Sequence, residues 1–528
     1  VGTLALTANS SGTDNTAVGY AALDANTTAS NNTAIGDNAL GANTTGANNT
    51  ALGAAAGAAN VDDTENVAIG YAANHPDGGS YVTAVGSQAL NANTADNNTG
   101  IGYLALTANT TGTANTGLGK SALGANTTAS YGTAVGMTAL ANNTTGASNT
   151  GVGYNALLVN TTGAQNTAVG RNALDANTTA ANNVAVGYEA MTANTTGTAN
   201  VTVGAHSLQA NTTASNNTAV GYFALAGNTT GANNVAVGYQ ALDANTDASN
   251  NTAVGYQSLT ANTTATYNTG VGSRTLATTS TGIRNSAVGY AALEANTTGG
   301  YNVAVGMNAL YTNTTASNNT ALGYSALGLN TTGAGNTAVG VTALNANTTA
   351  ANNTAVGYLA LTANTTGASN NALGYASLYA NTTGANNVAI GNSAMESNTT
   401  ASNNTAVGKS ALYANTTGAS NVAVGSLALD ANTTASNNTG VGYAALSANT
   451  TASGNTAVGK DALAVNTTGA NNVAVGWIAM TSNTTGANNI AVGRSALAAN
   501  TTAGDNIAIG HIALGSCTTG ASNTAVGY

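Results

Sequence analysis

A glycine that follows a branched apolar residue recurs along the whole chain with almost no change in spacing. The series starts at Gly2 and ends at Gly527, and of its 31 intervals 29 are 17 residues long and two are 16. We call these residues the marker glycines. A period of this length, held throughout, is typical of stacked-repeat proteins, in which each unit buries its apolar surface only against its neighbours. We therefore expect one continuous array over residues 1–528, with irregular coils within 53–102.

The repeat itself predicts strands and turns. Its consensus, seen in residues 15–31, is N-T-A-V-G-Y-A-A-L-D-A-N-T-T-A-S-N. Two short apolar runs flank the glycine, and an Asn/Thr/Gly/Ser corner closes the unit. A helix between the glycine and N-T-T would be about two turns long, too short to be stable without strong packing. We predict an all-β parallel β-solenoid of about 31 coils, roughly 150 Å long at about 4.8 Å per coil.

Three columns of the repeat carry the expected core and interface. The residue before the marker glycine is always Val, Ile or Leu, and the fourth residue after it is nearly always Leu or Met, so we expect both in the core, for example Val254 and Leu276. The second and fifth residues after the glycine vary freely and are expected to face solvent. Two residues before the glycine stands Ala in 25 of 31 repeats, Gly in five and Thr once, at Thr202. Because alternation points this column away from the core Val, we interpret it as a close contact between chains or, alternatively, a tight interior corner.

Composition excludes several classes of function. Charged residues make up 5% of the chain and only seven residues are basic, so the basic patch of a nucleic-acid-binding protein is missing. No apolar run is long enough to span a bilayer. Cys517 is the single cysteine, which excludes disulfides within the chain. The chain opens at Val1 without an initiator Met, and we interpret it as a piece of a longer product.

Seven residues after the marker glycine stands Asn, which begins an N-x-[ST] triplet in 25 of 31 repeats. One interpretation is structural: Asn tolerates a left-handed corner and bonds to the same residue of the next coil, while Thr continues the ladder. The other is N-glycosylation, for which such triplets are acceptors. The candidate acceptors are Asn26, Asn43, Asn109, Asn126, Asn143, Asn160, Asn177, Asn194, Asn211, Asn228, Asn262 and Asn296.

The residue after the marker glycine is Tyr in 14 of 32 repeats and elsewhere includes Lys, Arg, Trp and His. These side chains share an apolar stem and a polar tip, which indicates a rim position. Aromatic stacking between coils would explain the column. The functional alternative is a row of rings that binds sugars, with Tyr222, Tyr239, Tyr256 and Trp477 as the candidate surface-binding residues.

Motifs for catalysis or cofactors are absent from the sequence. Residues 454–461 imitate a phosphate-binding loop, but Asp461 replaces the required hydroxyl and no helix is expected to follow. The histidines His75, His206 and His511 lie far apart, with no nucleophile or carboxylate at a fixed relation to them. We predict no enzyme activity, no cofactor and no metal.

The irregular coils contain the only proline, Pro76, near the acidic residues Asp62, Asp63, Glu65 and Asp77. A deletion or loop that kinks the array is the simpler interpretation. A Ca²⁺ site is the alternative, although the acidic residues follow no recognisable ligand spacing.

The unit N-T-A-V-G-Y-x-A-L, repeated from Asn15 to Tyr528, resembles two groups of proteins: the heads of trimeric autotransporter adhesins, with their N-S-V-A-I-G repeats, and the repeat arrays of phage and phage-like tail fibres. The resemblance implies a left-handed β-roll associated as a homotrimer. The repeat here is longer than in adhesin heads.

The sequence thus predicts a structural and adhesive extracellular fibre or filament segment, at a cell or virion surface, that gives reach and attachment without catalysis. Its expected partners are further copies of itself, as a homotrimer or filament, and a carbohydrate or cell-surface receptor; nucleic acid and a membrane span are not expected. The alternatives are an ice-binding solenoid, which would need one flat Thr face, and a sheath or surface-layer filament glycosylated on its Asn ladder.

Overall fold

The computed structural model describes residues 1–528 and confirms the parallel β-solenoid. It contains 31 strands of three residues each, one per repeat, and no helix. The chain divides into two compact units, Val1–Thr264 and Ala265–Tyr528. In the first unit the strands are β1 (Thr16–Val18), β2 (Thr33–Ile35), β3 (Thr50–Leu52), β4 (Val67–Ile69), β5 (Thr83–Val85), β6 (Thr99–Ile101), β7 (Thr116–Leu118), β8 (Thr133–Val135), β9 (Thr150–Val152), β10 (Thr167–Val169), β11 (Val184–Val186), β12 (Val201–Val203), β13 (Thr218–Val220), β14 (Val235–Val237) and β15 (Thr252–Val254).

In the second unit the strands are β16 (Thr269–Val271), β17 (Ser286–Val288), β18 (Val303–Val305), β19 (Thr320–Leu322), β20 (Thr337–Val339), β21 (Thr354–Val356), β22 (Asn371–Leu373), β23 (Val388–Ile390), β24 (Thr405–Val407), β25 (Val422–Val424), β26 (Thr439–Val441), β27 (Thr456–Val458), β28 (Val473–Val475), β29 (Ile490–Val492), β30 (Ile507–Ile509) and β31 (Thr524–Val526). Within each unit consecutive strands pair in parallel and in register, as β24 does with β25.

Backbone hydrogen bonds between coils continue well beyond the strands. In the coil that begins at Gly408, the amides of Leu412 and Thr416 donate to carbonyls of the following coil at 2.9 and 2.8 Å, and the amide of Ser420 donates to a carbonyl of the preceding coil at 3.2 Å. Each coil is therefore joined to both neighbours around most of its circumference. This satisfies backbone groups that the short strands alone would leave unpaired.

The corner after each strand is built from two overlapping turns with left-handed residues. In the same coil the amide of Ala411 donates to the carbonyl of Gly408 at 3.3 Å, and Ser410 and Leu412 have φ of 54°. A left-handed residue in this place is the mark of a type II turn, which ordinarily favours Gly or Asn. Leu occupies it here because its side chain fills the core, so packing outweighs the backbone preference.

The marker glycine is required by close contact between coils. Gly408 has φ of 136°, and a Cβ added to it would lie 2.6 Å from the carbonyl of Gly425 in the next coil. No L side chain fits at this distance, and the backbone conformation is one that L residues rarely adopt. The close backbone approach expected at the Ala column therefore occurs two residues later.

The interior is formed by Leu and Ala, which corrects one of the two predicted core columns. Leu412 and Leu276 are fully buried, as expected. The Val column is not in the core: Val288 is 41% exposed and Leu373 is 49% exposed. Val254, expected inside, belongs to this outward column. The coil is too narrow for two large residues, so the strand turns its small central residue inward.

The Ala column accordingly lies inside the coil, so the interpretation as an interface between chains is wrong. The alternative is correct about the interior position, but this Ala is the central residue of a strand and does not form a corner. Ala287, Ala304 and Ala321 are all 0% exposed within a single chain. The exception, Thr202, is also buried, and its hydroxyl is hydrogen-bonded to that of Ser207, which replaces the usual Ala of its own column. A buried hydroxyl needs such a partner, and two substitutions in one coil supply it.

The irregular coils keep the strand pairing. Strands β4, β5 and β6 pair in register although their coils are 16 residues long. The Asn column is interrupted at Asp77, whose carboxylate instead accepts a hydrogen bond from the amide of Val61 at 2.8 Å. Asn74 replaces the core Leu and is buried. The missing residue of each 16-residue coil is therefore accommodated at the corner, and the strand ladder stays in register.

Candidate functional site

The Asn column that begins the N-x-[ST] triplets forms a buried hydrogen-bonded ladder. Asn415 Nδ2 donates to Oδ1 of Asn398, one coil earlier, and to the carbonyl of Gly418 in its own coil, both at 2.9 Å. Its own Oδ1 accepts from Asn432 Nδ2 at 2.9 Å. The neighbouring Thr416 continues the ladder, because its hydroxyl donates to the carbonyl of Thr433 at 3.1 Å. The ladder part of the structural interpretation is therefore confirmed, whereas the left-handed conformation expected at this Asn is wrong: the left-handed residue of the corner lies five positions later, at Ser420 in this coil.

The amide nitrogen that would carry a sugar lies inside the coil in every candidate acceptor. The side chains concerned are at most 1% exposed: Asn26, Asn43, Asn109, Asn126, Asn143, Asn160, Asn177, Asn194, Asn211, Asn228, Asn262 and Asn296. A glycan on any of them would break the ladder and has no path to solvent. The geometry argues against glycosylation of this column in the folded chain.

A second Asn column, four residues before the marker glycine, was not recognised as a site from the sequence. Asn404 Nδ2 donates to the carbonyl of Gly418 at 2.9 Å, the same carbonyl that Asn415 contacts. Its Oδ1 accepts the backbone amide of Asn421, one coil later, at 2.9 Å. The two columns are thus joined through a shared carbonyl in most regular coils, although Nδ2 of Asn353 and of Asn455 has no partner. The only signal in the sequence was the nearly constant first Asn of the consensus.

A further set of N-x-T triplets places its Asn on the surface. This Asn precedes the second column, is exposed, and has φ of 61° to 63°. The set comprises Asn31, Asn48, Asn97, Asn216, Asn250, Asn318, Asn352, Asn403 and Asn437. Sequence reasoning missed it because the N-T-T triplets are more frequent. These are the asparagines whose amides are free to carry a modification.

The Tyr column forms a surface rim, and three of its members stack. Tyr222 and Tyr239 have ring centroids 5.8 Å apart, and those of Tyr239 and Tyr256 are 5.4 Å apart, with nearly parallel planes. All three are exposed by 43% to 51%. Both faces of Tyr239 are covered by its neighbours, so it presents its ring edge and hydroxyl to solvent, and Tyr256 has one face without a ring partner.

Trp477, the fourth rim candidate, lies far along the chain in a different setting. It is 47% exposed, and the guanidinium of Arg494 lies 4.5 Å from its ring centroid. This cation–π contact covers one face of the indole. The structure therefore places three of the candidates in one stack and leaves Trp477 apart from them.

The Tyr stack continues into a mixed cluster that sequence reasoning did not find. The imidazole of His206 stacks on Phe223 at 5.0 Å and meets the edge of Tyr188 at 5.3 Å. Glu189 lies 3.6 Å from His206 Nδ1, and its hydrogen bond to the hydroxyl of Tyr188 raises the pKa of that phenol. Tyr222 contacts Phe223 at 4.4 Å, which joins this cluster to the stack. Its members occupy the first and second positions after the marker glycine, and it was missed because the second position was expected only to face solvent.

The fifth position after the marker glycine, expected to face solvent, is only partly exposed where it holds Asp. Burial raises the pKa of Asp175, Asp243 and Asp430 above the ordinary value. In the irregular coils, burial likewise raises the pKa of Asp63, whose carboxylate accepts the amides of two glycines at 2.7 and 3.0 Å. No group of three or more His, Cys, Asp or Glu side chains is arranged to hold a metal ion.

The first and third residues of each strand point outward and form the outer sheet face. The third residue is Val, Ile or Leu in all 31 strands; the first is Thr in 19 and Val or Ile in ten, with Ser286 and Asn371 in the others. None of these 62 positions is charged. The face is therefore a neutral surface of mainly β-branched side chains.

The structure has no surface pocket and no helix that could cross a membrane. Comparison with models of known protein families and with curated proteins finds no match to this chain. The repeat β-solenoid is confirmed, whereas the likeness to adhesin heads and tail fibres gains no support from these comparisons, and the left-handed coil stays a prediction.

Proposed function

We propose that this chain is a structural and adhesive segment of an extracellular fibre or filament, at a cell or virion surface, of the kind that tail fibres and adhesin heads exemplify. The observation that carries the proposal is that nearly the same coil is repeated along the whole chain, so that each coil both adds length and supports surface side chains. Each coil is bonded to its neighbours through backbone, Asn and Thr ladders, and every added coil extends a unit by about 4.8 Å. Such a scaffold holds surface side chains at fixed spacing and gives reach without catalysis.

Attachment is assigned in this proposal to the rim. A carbohydrate or cell-surface receptor would contact Tyr222, Tyr239, Tyr256 and Trp477, which are large, exposed and preorganised by stacking or cation–π contact. Rigid aromatic side chains contribute much contact area at little cost in conformational entropy. Exposure alone does not select these four residues, since the other 18 tyrosines of the chain are also exposed.

The experiment compares two variants with four substitutions each. The test variant changes Tyr222, Tyr239, Tyr256 and Trp477 to Ser. The control variant changes Tyr103, Tyr154, Tyr290 and Tyr324 to Ser, which occupy the same column with 44% to 50% exposure but stand outside the stacks.

Binding of fluorescent protein to host cells and to immobilised neutral polysaccharides is measured for both. Loss of binding in the test variant alone supports attachment through these rings. Equal binding by both variants returns the rim to a purely structural role.

Assembly into a homotrimer or filament belongs to the same proposal, because the resemblance to adhesin heads and tail fibres implies it. The copies would associate laterally. Sedimentation of the parent chain tests this part: a monomer over the whole accessible range of concentration contradicts it.

The outer sheet face keeps an ice-binding function as a second candidate. Nineteen strands present an outward Thr beside an outward Val, Ile or Leu. Regularly spaced Thr on a sheet is what such a function would need. Thermal hysteresis of a dilute solution is expected only if this candidate is correct.

A further inference from the structure

The outer sheet face is repeated in every strand, and its apolar column is exposed or partly exposed to solvent. In the first unit Val201 and Val203 are 40% and 41% exposed, and in the second Ile490 and Ile509 are 37% and 40% exposed. Scattered exposed apolar residues are normal, but a contiguous apolar patch longer than a few residues marks an interaction site. Here the column includes every strand of both units.

The character of this face limits what can cover it. It carries no charge, so complementary charge cannot select a partner. Its groups repeat once per coil, at about 4.8 Å, and a partner that packs against many coils must present groups at the same spacing. The chain itself does so.

We infer that the outer sheet face is the surface through which two copies of this chain associate face to face, parallel and in register. This rests on the self-association in the proposed function, and such a pair is the unit of a filament and not a closed trimer. Packing the two faces together removes the outward Val, Ile and Leu from water, which is the main driving force for association. It leaves the Ala column untouched inside each coil and the Tyr rim outside the contact.

The register between the two copies follows from the positions of the strands whose outward residues are both apolar. Six strands of the second unit have Val or Ile at both outward positions: β18, β23, β25, β28, β29 and β30. Parallel copies in register place each of these strands opposite its own counterpart. A fully overlapped antiparallel pair of units would keep only β18 opposite β29, and would set the other four against strands that present Thr, Ser or Asn.

The first test places three carboxylates on the face. Val475→Glu, Val492→Glu and Ile509→Glu together add charge to consecutive coils at positions that are already partly exposed. The control adds Glu in the same coils at the exposed corner residues Thr468, Thr485 and Thr502. Mass photometry and sedimentation report the oligomer, and protease resistance reports folding.

We expect the parent and the control to assemble and the face variant to stay monomeric and folded at concentrations at least ten-fold higher. A folded face variant that assembles like the parent overturns the assignment of the face. A monomeric parent overturns association as such, whereas the attachment experiment on the rim can succeed or fail independently of both results.

The second test determines the register of the two copies and does not require a substitution that weakens their contact. In a background with Cys517→Ser, Val305→Cys and Val492→Cys are made separately and treated with a flexible bismaleimide that can span the spacing of about 10 Å between packed sheets, which a disulfide cannot bridge. Parallel copies in register place each cysteine opposite its own counterpart, so both variants should give cross-linked species on a denaturing gel. Assembly with a cross-link at one site only, or at neither, overturns the parallel register.

Discussion

Removing one amide from the buried Asn ladder should destabilise its coil strongly, and Asn415→Ala is the cleanest case. The substitution deletes the bonds from Asn415 Nδ2 to Asn398 Oδ1 and Gly418 O, and the bond it accepts from Asn432. Gly418 O keeps its bond from Asn404, and Asn432 Nδ2 keeps its bond to Ala435 O. Asn398 Oδ1 loses its partner inside the coil.

The loss of stability can be estimated by separating the groups that keep another hydrogen-bond partner from those that are left without one. The bond to Gly418 O, whose acceptor stays satisfied, contributes about 1 kcal/mol, and the two buried groups left unpaired, Asn398 Oδ1 and one N–H of Asn432, cost about 1 to 3 kcal/mol each. The expected loss of local stability is therefore about 3 to 7 kcal/mol. Since about 1.4 kcal/mol corresponds to a tenfold change, amide exchange in this coil should accelerate by about two to five powers of ten.

The assay is native-state hydrogen exchange at the amides of Ala414 and Thr416, which donate to the following coil. Thr417→Ala is the matched control, because its side chain is exposed in the same corner and surface substitutions usually change stability by less than about 0.5 kcal/mol. If exchange in Asn415→Ala stays within tenfold of that in Thr417→Ala, the ladder is not what holds the coil.

Three other perturbations test separate parts of the structure. Gly340→Ala places a Cβ 2.3 Å from the carbonyl of Gly357 and should open this pair of coils, with a cost above about 2 kcal/mol, seen as a new site of limited proteolysis. Burial raises the pKa of Asp430 above 3.8, so the folded chain binds this proton more tightly than the unfolded chain and stability falls as pH rises through the window just above 3.8; Asp430→Asn should make that fall smaller in urea titrations, and the other buried aspartates account for the rest. If the chain is glycosylated, mass spectrometry should find sugar on exposed asparagines such as Asn216 and none on buried ones such as Asn211, and the reverse result would contradict the placement of the two columns.

The coil and its period could be predicted because both follow from the regular spacing of a few residue types. Marker glycines, Leu and Asn recur at fixed distances, and each has a physical role that the structure confirms. The fold class, the Leu core and the Asn ladder could all be predicted from this pattern.

Which face of each strand points into the coil could not be predicted, since the alternation of side chains defines two faces without indicating which one is buried. Size suggested the Val column, because large apolar residues usually fill cores. The narrow coil reverses this choice: Leu412 already fills the interior, and only a residue as small as Ala406 fits beside it. The same reversal moved the candidate interface from Ala to Val.

The candidate site was predicted only in part for a related reason. Stacking of Tyr222, Tyr239 and Tyr256 follows from their shared column and was foreseen. The cluster around His206 joins residues from two adjacent columns. Asn216 and Asn217 are consecutive residues, and the backbone turns the first toward solvent and the second into the coil. Neither is a property of one column of the repeat.

The left-handed residues of each corner bear on how such a chain can begin to fold. Ser410, Leu412 and Ser420 of one coil have φ between 54° and 59°, and each costs an L residue about 1 to 2 kcal/mol. A lone coil would carry this strain without any of the bonds to its neighbours, so it has no independent stability. Two coils in contact form a nucleus, and every later coil is added to a finished template, as a molecule is added to a crystal face. Folding is then growth along the axis, and its slow step is the first pairing of two coils.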